Sequence, residues 1–232
     1  MAHGVSMIFS LAYHELAEAT GEAAVRAAAD RHHQRVMDTF LRADRGLVLE
    51  WLRPDGTELA PPEGTVVVPG HGVESMWFQI HIARARGDGA TCRRAVEAIR
   101  RHLEVGWDAR YGGLLLAVDA GGRSDVAWDF HDSKLWWPHT EALYGTLLAH
   151  ELCGEPWCME WHERVRRYSF SHFPVPEHGE WRQRLDRRGR PFTEVVALPV
   201  KDPFHLPRAL ILCIEALSRL AGASAVQREG GG

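Results

Sequence analysis

The sequence predicts an all-helical chain built from repeated helical hairpins, and three observations predict it. Glycines that close apolar helical patterns recur at Gly21, Gly87, Gly154 and Gly222, spaced by 66, 67 and 68 residues. Histidines near the start of the preceding segments keep the same beat at His3, His71, His139 and His205, spaced by 68, 68 and 66. Between these markers each unit repeats one order: a histidine-led helix, a glycine, a second helix, then a short β-type stretch with a glycine-bearing turn. Self-similarity at a fixed period marks stacked units that bury a shared core, either as an open solenoid or as a closed α/α toroid.

The elements follow in order. A helix led by His3 runs about four turns to Gly21, where a left-handed cap is expected. A second helix over about 23–42 carries Val25, Ala29, His32, Val36 and Phe40 on one face. The stretch "GLVLEWLRPDGTEL" then reads as short strands around a turn. The next helix opens in "VVVPGHGVESMW", with a proline–glycine break before His71, Glu74 and Trp77 at three-residue intervals. It ends at Gly87, and a helix over about 90–105 and "GGLLLAVDAGGRSD" complete the unit. The third unit has a helix led by His139 to Gly154 and a helix over about 156–173. Pro156 stands where a first turn tolerates it, and Trp157, Trp161, Val165 and Tyr168 trace the apolar face. After "GEWRQRLDRRGRPF", a last helix led by His205 runs to Gly222. The domain is expected over 1–222, with a flexible tail at 223–232.

Composition narrows the partners. A 45% hydrophobic, 25% charged chain of 232 residues suits a globular domain. The formal charge of −4 gives no basic footprint for nucleic acid. Cys92, Cys153, Cys158 and Cys213 form no CxxC pair, so a zinc ribbon is disfavoured and a reduced cytoplasmic setting is expected. No secretory leader pattern opens the sequence, and no apolar run approaches the ~20 residues of a membrane span.

Equivalent histidines at equivalent helix ends would converge in a toroid, which favours a shared site over scattered packing. A histidine beside a carboxylate on one helix face suits packing, a metal site or proton transfer. A metal held by His71, Glu74 and His205 is the weaker alternative, because no HExxH or DxD motif accompanies them.

Three stretches make the choice more specific: "PGHGVESMW", "DSKLWWPHTEAL" and "KDPFHLPRAL", with "HGEWRQRLDRRGRP" between the last two. In order and spacing they resemble the motifs of the family of N-acylglucosamine 2-epimerases, cellobiose 2-epimerases and mannose isomerases, and the match covers nearly the whole chain. The resemblance implies an (α/α)6 barrel acting at C2 of an aldose, without metal or other cofactor. His71 and His205 match the family's acid/base pair, and Glu74 and Glu141 its site carboxylates. Imidazole titrates near neutrality and can take and return a proton beside a carbonyl. Trp137 matches a tryptophan suited to stacking on a sugar. Trp77, Lys134, His139 and His3 are further expected substrate contacts, each with a structural alternative: core packing for Trp77, an ion pair for Lys134. Arg208 is expected as a structural ion-pair partner.

Members of the family have twelve helices, and this chain supplies about seven, matching the C-terminal part. A family arginine from the preceding part has no counterpart here. The expected partners are therefore a sugar and either a second copy or a complementing N-terminal half. The alternative is a non-catalytic homologue that binds carbohydrate or protein.

Overall fold

The computed structural model describes residues 1–192, 201 and 203–229. Among these are seven α-helices: α1 (His3–Thr20), α2 (Ala23–Gln34), α3 (Pro69–Ala85), α4 (Gly89–Gly106), α5 (Trp136–Cys153), α6 (Pro156–His172) and α7 (His205–Glu229). α1–α2, α3–α4 and α5–α6 are antiparallel hairpins. The odd-numbered helices pack side by side in the order α1, α3, α5, α7, and the even ones lie against their backs. The predicted histidines fall within the first four residues of the four odd helices. The last turns of the first outer helix widen into a π-helical segment, Arg35–Phe40, which buries Val36, Met37 and Phe40.

Helix ends follow local chemistry. Gly21 and Gly154 are left-handed caps, with φ of 72° and 65°, whose N–H groups return to the carbonyls of Ala17 and His150. Gly87, with φ 69°, follows Arg86 at the end of α3. Asp88 then caps α4 by accepting the N–H of Thr91 at 3.0 Å. Gly222 breaks the pattern: α7 runs through it to Glu229, past the domain end expected at 222. No proline follows it, so a lone helix-interior glycine is merely tolerated.

Among the described residues, eight two-residue strands form four antiparallel ladders. β1 (Leu41–Arg42) with β2 (Leu47–Val48), and β6 (Pro174–Val175) with β7 (Glu180–Trp181), are local hairpins whose first strands precede the expected β-type stretches, β1 at the end of the expected second helix. The other two ladders join different units. β3 (Val66–Val67), just before α3, pairs with β4 (Val118–Asp119); β5 (Lys134–Leu135), just before α5, pairs with β8 (Arg184–Leu185). These ladders stitch the loops around the N-terminal ends of α3 and α5.

Because α3 and α5 have helices on both flanks and behind them, they are buried nearly all round. Their contact is close enough that a Cβ on Gly145 would lie 2.8 Å from Val73. The two glycines around His71 have the same cause. A Cβ on Gly70 would lie 2.6 Å from the Trp137 ring, and one on Gly72 would lie 2.0 Å from the His102 ring. His102 is fully buried and cannot yield, since its Nδ1 donates to Ala98 O and its Nε2 accepts the N–H of Val48.

α1 and α7 have an inner-layer neighbour on one side only. On α1 the exposed residues include Val5, Ile8, Phe9 and Ala12. On α7 the open face is Ile211, Ile214 and Leu217; Cys213 is buried and Leu210 and Leu220 are half-buried. Among the described residues no helix is long and apolar enough to cross a membrane.

Gly72→Ala is expected to lower stability by about 1–3 kcal/mol, the usual cost of overpacking, seen as a lower urea midpoint. Gly222→Ala, whose Cβ would meet nothing within 4 Å, is expected to be neutral or stabilising in the same titration.

Candidate active site

The N-terminal ends of the four inner helices meet at one cavity of about 430 Å³. Its wall includes His71 and Glu74 of α3, Trp137 of α5 and His205 of α7, with Met7 and Ile8 of α1 opposite. Both imidazoles pack against the indole of Trp137. Ring centroids are 5.0 Å apart for His71 and 5.3 Å for His205, with tilts of 30° and 32°. The two histidines thus share one aromatic neighbour and one cavity.

Each imidazole is tied by Nδ1 to a buried carboxylate. His71 Nδ1 donates to Glu50 Oε1 at 3.0 Å. Glu50 lies just after β2, and its side chain is 6% exposed. Burial alone would raise its pKa, but His71 and His3 overcome this and hold the carboxyl well below its ordinary range. In return, Glu50 outweighs the desolvation of His71 and raises the pKa of that imidazole above 6.5. His3 stands behind, fully buried, with Nε2 3.0 Å from Ser75 Oγ and Nδ1 3.8 Å from Glu50. Burial lowers its pKa. His3 therefore backs the His71–Glu50 pair and does not line the cavity.

His205 Nδ1 donates to Glu141 Oε1 at 2.8 Å, and Trp77 Nε1 donates to Oε2 of the same carboxylate at 2.8 Å. Arg208, three residues along α7, donates Nη2 to both Glu74 Oε1 (3.0 Å) and Glu141 Oε1 (2.8 Å). Its guanidinium also stacks on Phe204, 3.6 Å from the ring centroid. Burial, followed by the like charge of Glu141, pushes Glu74 up to about 7 despite Arg208 and His205. Nε2 of His71 and of His205 takes no hydrogen-bond partner among the described residues, so each ring has one nitrogen for a ligand in the cavity.

The structure thus gathers His71, Glu74, Trp137 and His205 at the cavity, with Glu141 immediately behind. Other expected contacts lie elsewhere. Trp77 is buried behind Glu141, in edge contact with Phe78 and Tyr144, and does not line this cavity. Lys134 is buried against Asp108 at 3.3 Å, a carboxylate that Arg187 also holds at 3.0 Å; this is the ion-pair alternative. His139 uses both nitrogens on backbone, donating Nδ1 to Leu135 O and accepting the Leu114 N–H at 2.9 Å. Burial drives its pKa down to about 3. It is a neutral connector between helix and loop, as His102 is.

Sequence reasoning missed Glu50 and Phe204. Glu50 did carry a signal: it is the single charge in the apolar run "LVLEWL", where an ionisable side chain must find a partner. Phe204 carried none.

Two trios, His3–Glu50–His71 and Glu74–Glu141–His205, bring ligand-type atoms within 4.8 Å of one another. In the second, the charge a cation would supply is already supplied by Arg208. The arrangement as it stands suits proton transfer: two imidazoles oriented by carboxylates, facing a cavity with an aromatic wall.

Comparisons with known proteins identify the family and the fold. The family model described as N-acylglucosamine 2-epimerase (GlcNAc 2-epimerase) matches residues 5–209. N-acylglucosamine 2-epimerase of Bos taurus is 36% identical over 200 residues, covering 83% of this chain and 46% of the relative. D-mannose isomerase of Pseudomonas cannabina pv. alisalensis is 25% identical over 232 residues, covering 92% of this chain and 54% of that protein. The solved structure of cellobiose 2-epimerase from Bacillus thermoamylovorans superposes with a TM-score of 0.78 at 16% identity, over 94% of this chain and 53% of the other. The chain therefore spans about half the length of these relatives, and its seven helices are part of an (α/α)6 barrel. On the match over residues 5–209 and the likeness to the bovine protein, this chain belongs to the N-acylglucosamine 2-epimerase family.

Proposed function

We propose that the completed barrel is a sugar epimerase or isomerase working at C2 of an aldose by proton transfer between two histidines. The observation that carries this is the pair His71 and His205, each fixed through Nδ1 by a buried carboxylate and each packed on Trp137 at one cavity. Nε2 of one ring removes the C2 proton of the open-chain sugar. The other ring returns a proton to the opposite face of C2, or to C1, and so gives epimer or ketose. Glu50 raises the pKa of His71, which suits that ring to the acid role; His205 is then the base. Glu74, raised to about 7, can donate a hydrogen bond to a substrate oxygen. Trp137 offers the stacking surface for the sugar. N-acylglucosamine or N-acylmannosamine is the first substrate class to test, given the bovine relative's name, with mannose and glucose-type sugars next.

The open faces of α1 and α7 support a second element of the proposal. Each leaves three or more large apolar side chains in water, and each side chain forgoes roughly 1.5–3 kcal/mol of burial. Further hairpins closing the ring, or a second copy, would cover them; turnover depends on that closure. The four unbridged cysteines are consistent with a reducing, cytosolic setting. A chain that binds sugar but never exchanges a proton would fit the non-catalytic alternative.

Incubating the protein with N-acetylmannosamine, mannose or cellobiose in deuterated water is expected to place deuterium at C2 of a turned-over sugar. His71→Asn and His205→Asn should each reduce that exchange by about 10²–10⁴-fold with unchanged circular dichroism. Exchange that a chelator abolishes and a divalent metal restores would overturn the mechanism.

A pH profile separates the role of Glu50 from mere packing. Because Glu50 raises the His71 pKa, the acid form survives above 6.5 in the native protein. Glu50→Gln removes the raising charge and leaves the burial that favours neutral imidazole. The alkaline limb of kcat/KM should therefore move to lower pH, whereas a purely structural loss would lower the whole profile without moving it.

Light scattering on the isolated chain should show self-association, reduced when Phe9 and Ile214 are both changed to Lys. A monodisperse monomer with full turnover would overturn the closure proposal.

A further inference from the structure

Away from the sugar cavity, at the opposite ends of the inner helices, two cysteines meet. Cys153 is the last residue of α5 and Cys158 the third of α6, on either side of the left-handed cap Gly154. Their sulfurs are 3.6 Å apart. Cys153 is exposed and also borders a cavity of about 690 Å³ between the α3–α4 and α5–α6 turns; Cys158 is fully buried. We propose that Cys153 and Cys158 are a modification site, a dithiol that a hydroperoxide converts to an intrachain disulfide.

The ordinary explanation of a buried cysteine is apolar packing, and it suffices for Cys92 and Cys213. Cys92 lies 4.0 Å from Ile80 O, and burial raises the pKa of both thiols, that of Cys213 to about 12. The pair at the turn differs, because thiol meets thiol and only one of the two faces solvent. An S–S bond is about 2.05 Å long, so the sulfurs must approach by about 1.5 Å. Cys153 ends a helix at an exposed turn and can supply that approach by side-chain rotation.

The order of events follows from exposure. The Cys153 sulfur attacks the hydroperoxide: an S–O bond forms, the O–O bond breaks, and the leaving alkoxide or hydroxide takes the thiol proton. Cys153 is then a sulfenic acid. The Cys158 sulfur attacks Cys153 Sγ; the S–S bond forms, the S–O bond breaks, and hydroxide departs with the Cys158 proton as water. Two thiols are oxidised and one peroxide is reduced. Burial, then the neighbouring thiol, pushes the Cys158 pKa up, so Cys158 is not the sulfur that the oxidant attacks first. The disulfide would tie the end of α5 to the first turn of α6 and withdraw the exposed thiol from further oxidation.

The sequence provides a clean assay. Trypsin releases residues 135–164 as one peptide, because no Lys or Arg lies between Lys134 and Arg164, and it contains both cysteines and neither of the others. After hydrogen peroxide treatment of the whole chain and alkylation, this peptide is expected to lack two hydrogens and to carry no alkyl group. Dithiothreitol should restore two alkylatable thiols. Oxidation at Met159 is distinguished as a gain of oxygen. Cys158→Ser should leave Cys153 as a sulfenic acid that dimedone traps. Three outcomes in the wild-type protein would overturn the proposal: sulfinic acid at Cys153 with Cys158 still alkylatable, Cys153 bridged between two chains, or both thiols unchanged. These readouts do not depend on turnover, so they stand apart from the sugar chemistry.

Discussion

Arg208 reaches from α7 to Glu74 on α3 and Glu141 on α5, and the rest of the site depends on that shared guanidinium. Two carboxylates buried side by side repel each other and lose hydration, a combination tolerated only when a cation satisfies both. The cluster also accounts for its remaining acceptors. Glu141 gives its other oxygen to Trp77, and His205 shares the one that Arg208 uses. Three inner helices are thereby pinned where their N-terminal ends meet. Since Arg208 and His205 lie three residues apart on α7, the contact that anchors the guanidinium also sets the imidazole on its carboxylate.

The two imidazoles are held by carboxylates of unequal character. Glu50 faces only His71 and His3 and keeps its full charge, which raises the affinity of His71 for a proton. Glu141 faces Arg208 and Trp77 as well as His205. Glycine makes the crowding tolerable. Gly70 and Gly72 let Trp137 and His102 approach the turn that carries His71, which explains why "PGHG" surrounds that residue.

Much of the fold was legible because a hairpin repeat states its period in residues that local chemistry requires. Gly21 and Gly154 occupy left-handed caps where other residues are strained, and the leading histidines mark the ends that converge. Legibility failed where local rules and packing diverge. Gly222 looked like a cap and is helix interior. His139 kept the beat of the repeat, yet its ring turns to the backbone of Leu135 and Leu114 instead of the cavity. Lys134 sits beside the motif tryptophans in sequence, but β5 directs it to Asp108. Glu50 lies in a β-type stretch with no helical signature and still supplies the carboxylate that His71 uses.

The sequence by itself determined the helices and their order, because caps and apolar periodicity act over a few positions. Tertiary structure alone decided which carboxylate serves which histidine, and which aromatic meets the cavity. His71 and Glu50 are 21 residues apart and His205 and Glu141 are 64 apart. Pairings over such separations are set by how α3, α5 and α7 pack and by where the intervening loops are stitched. No local pattern encodes those distances; burial does, by leaving each charged group only the partner that the packed helices bring within reach.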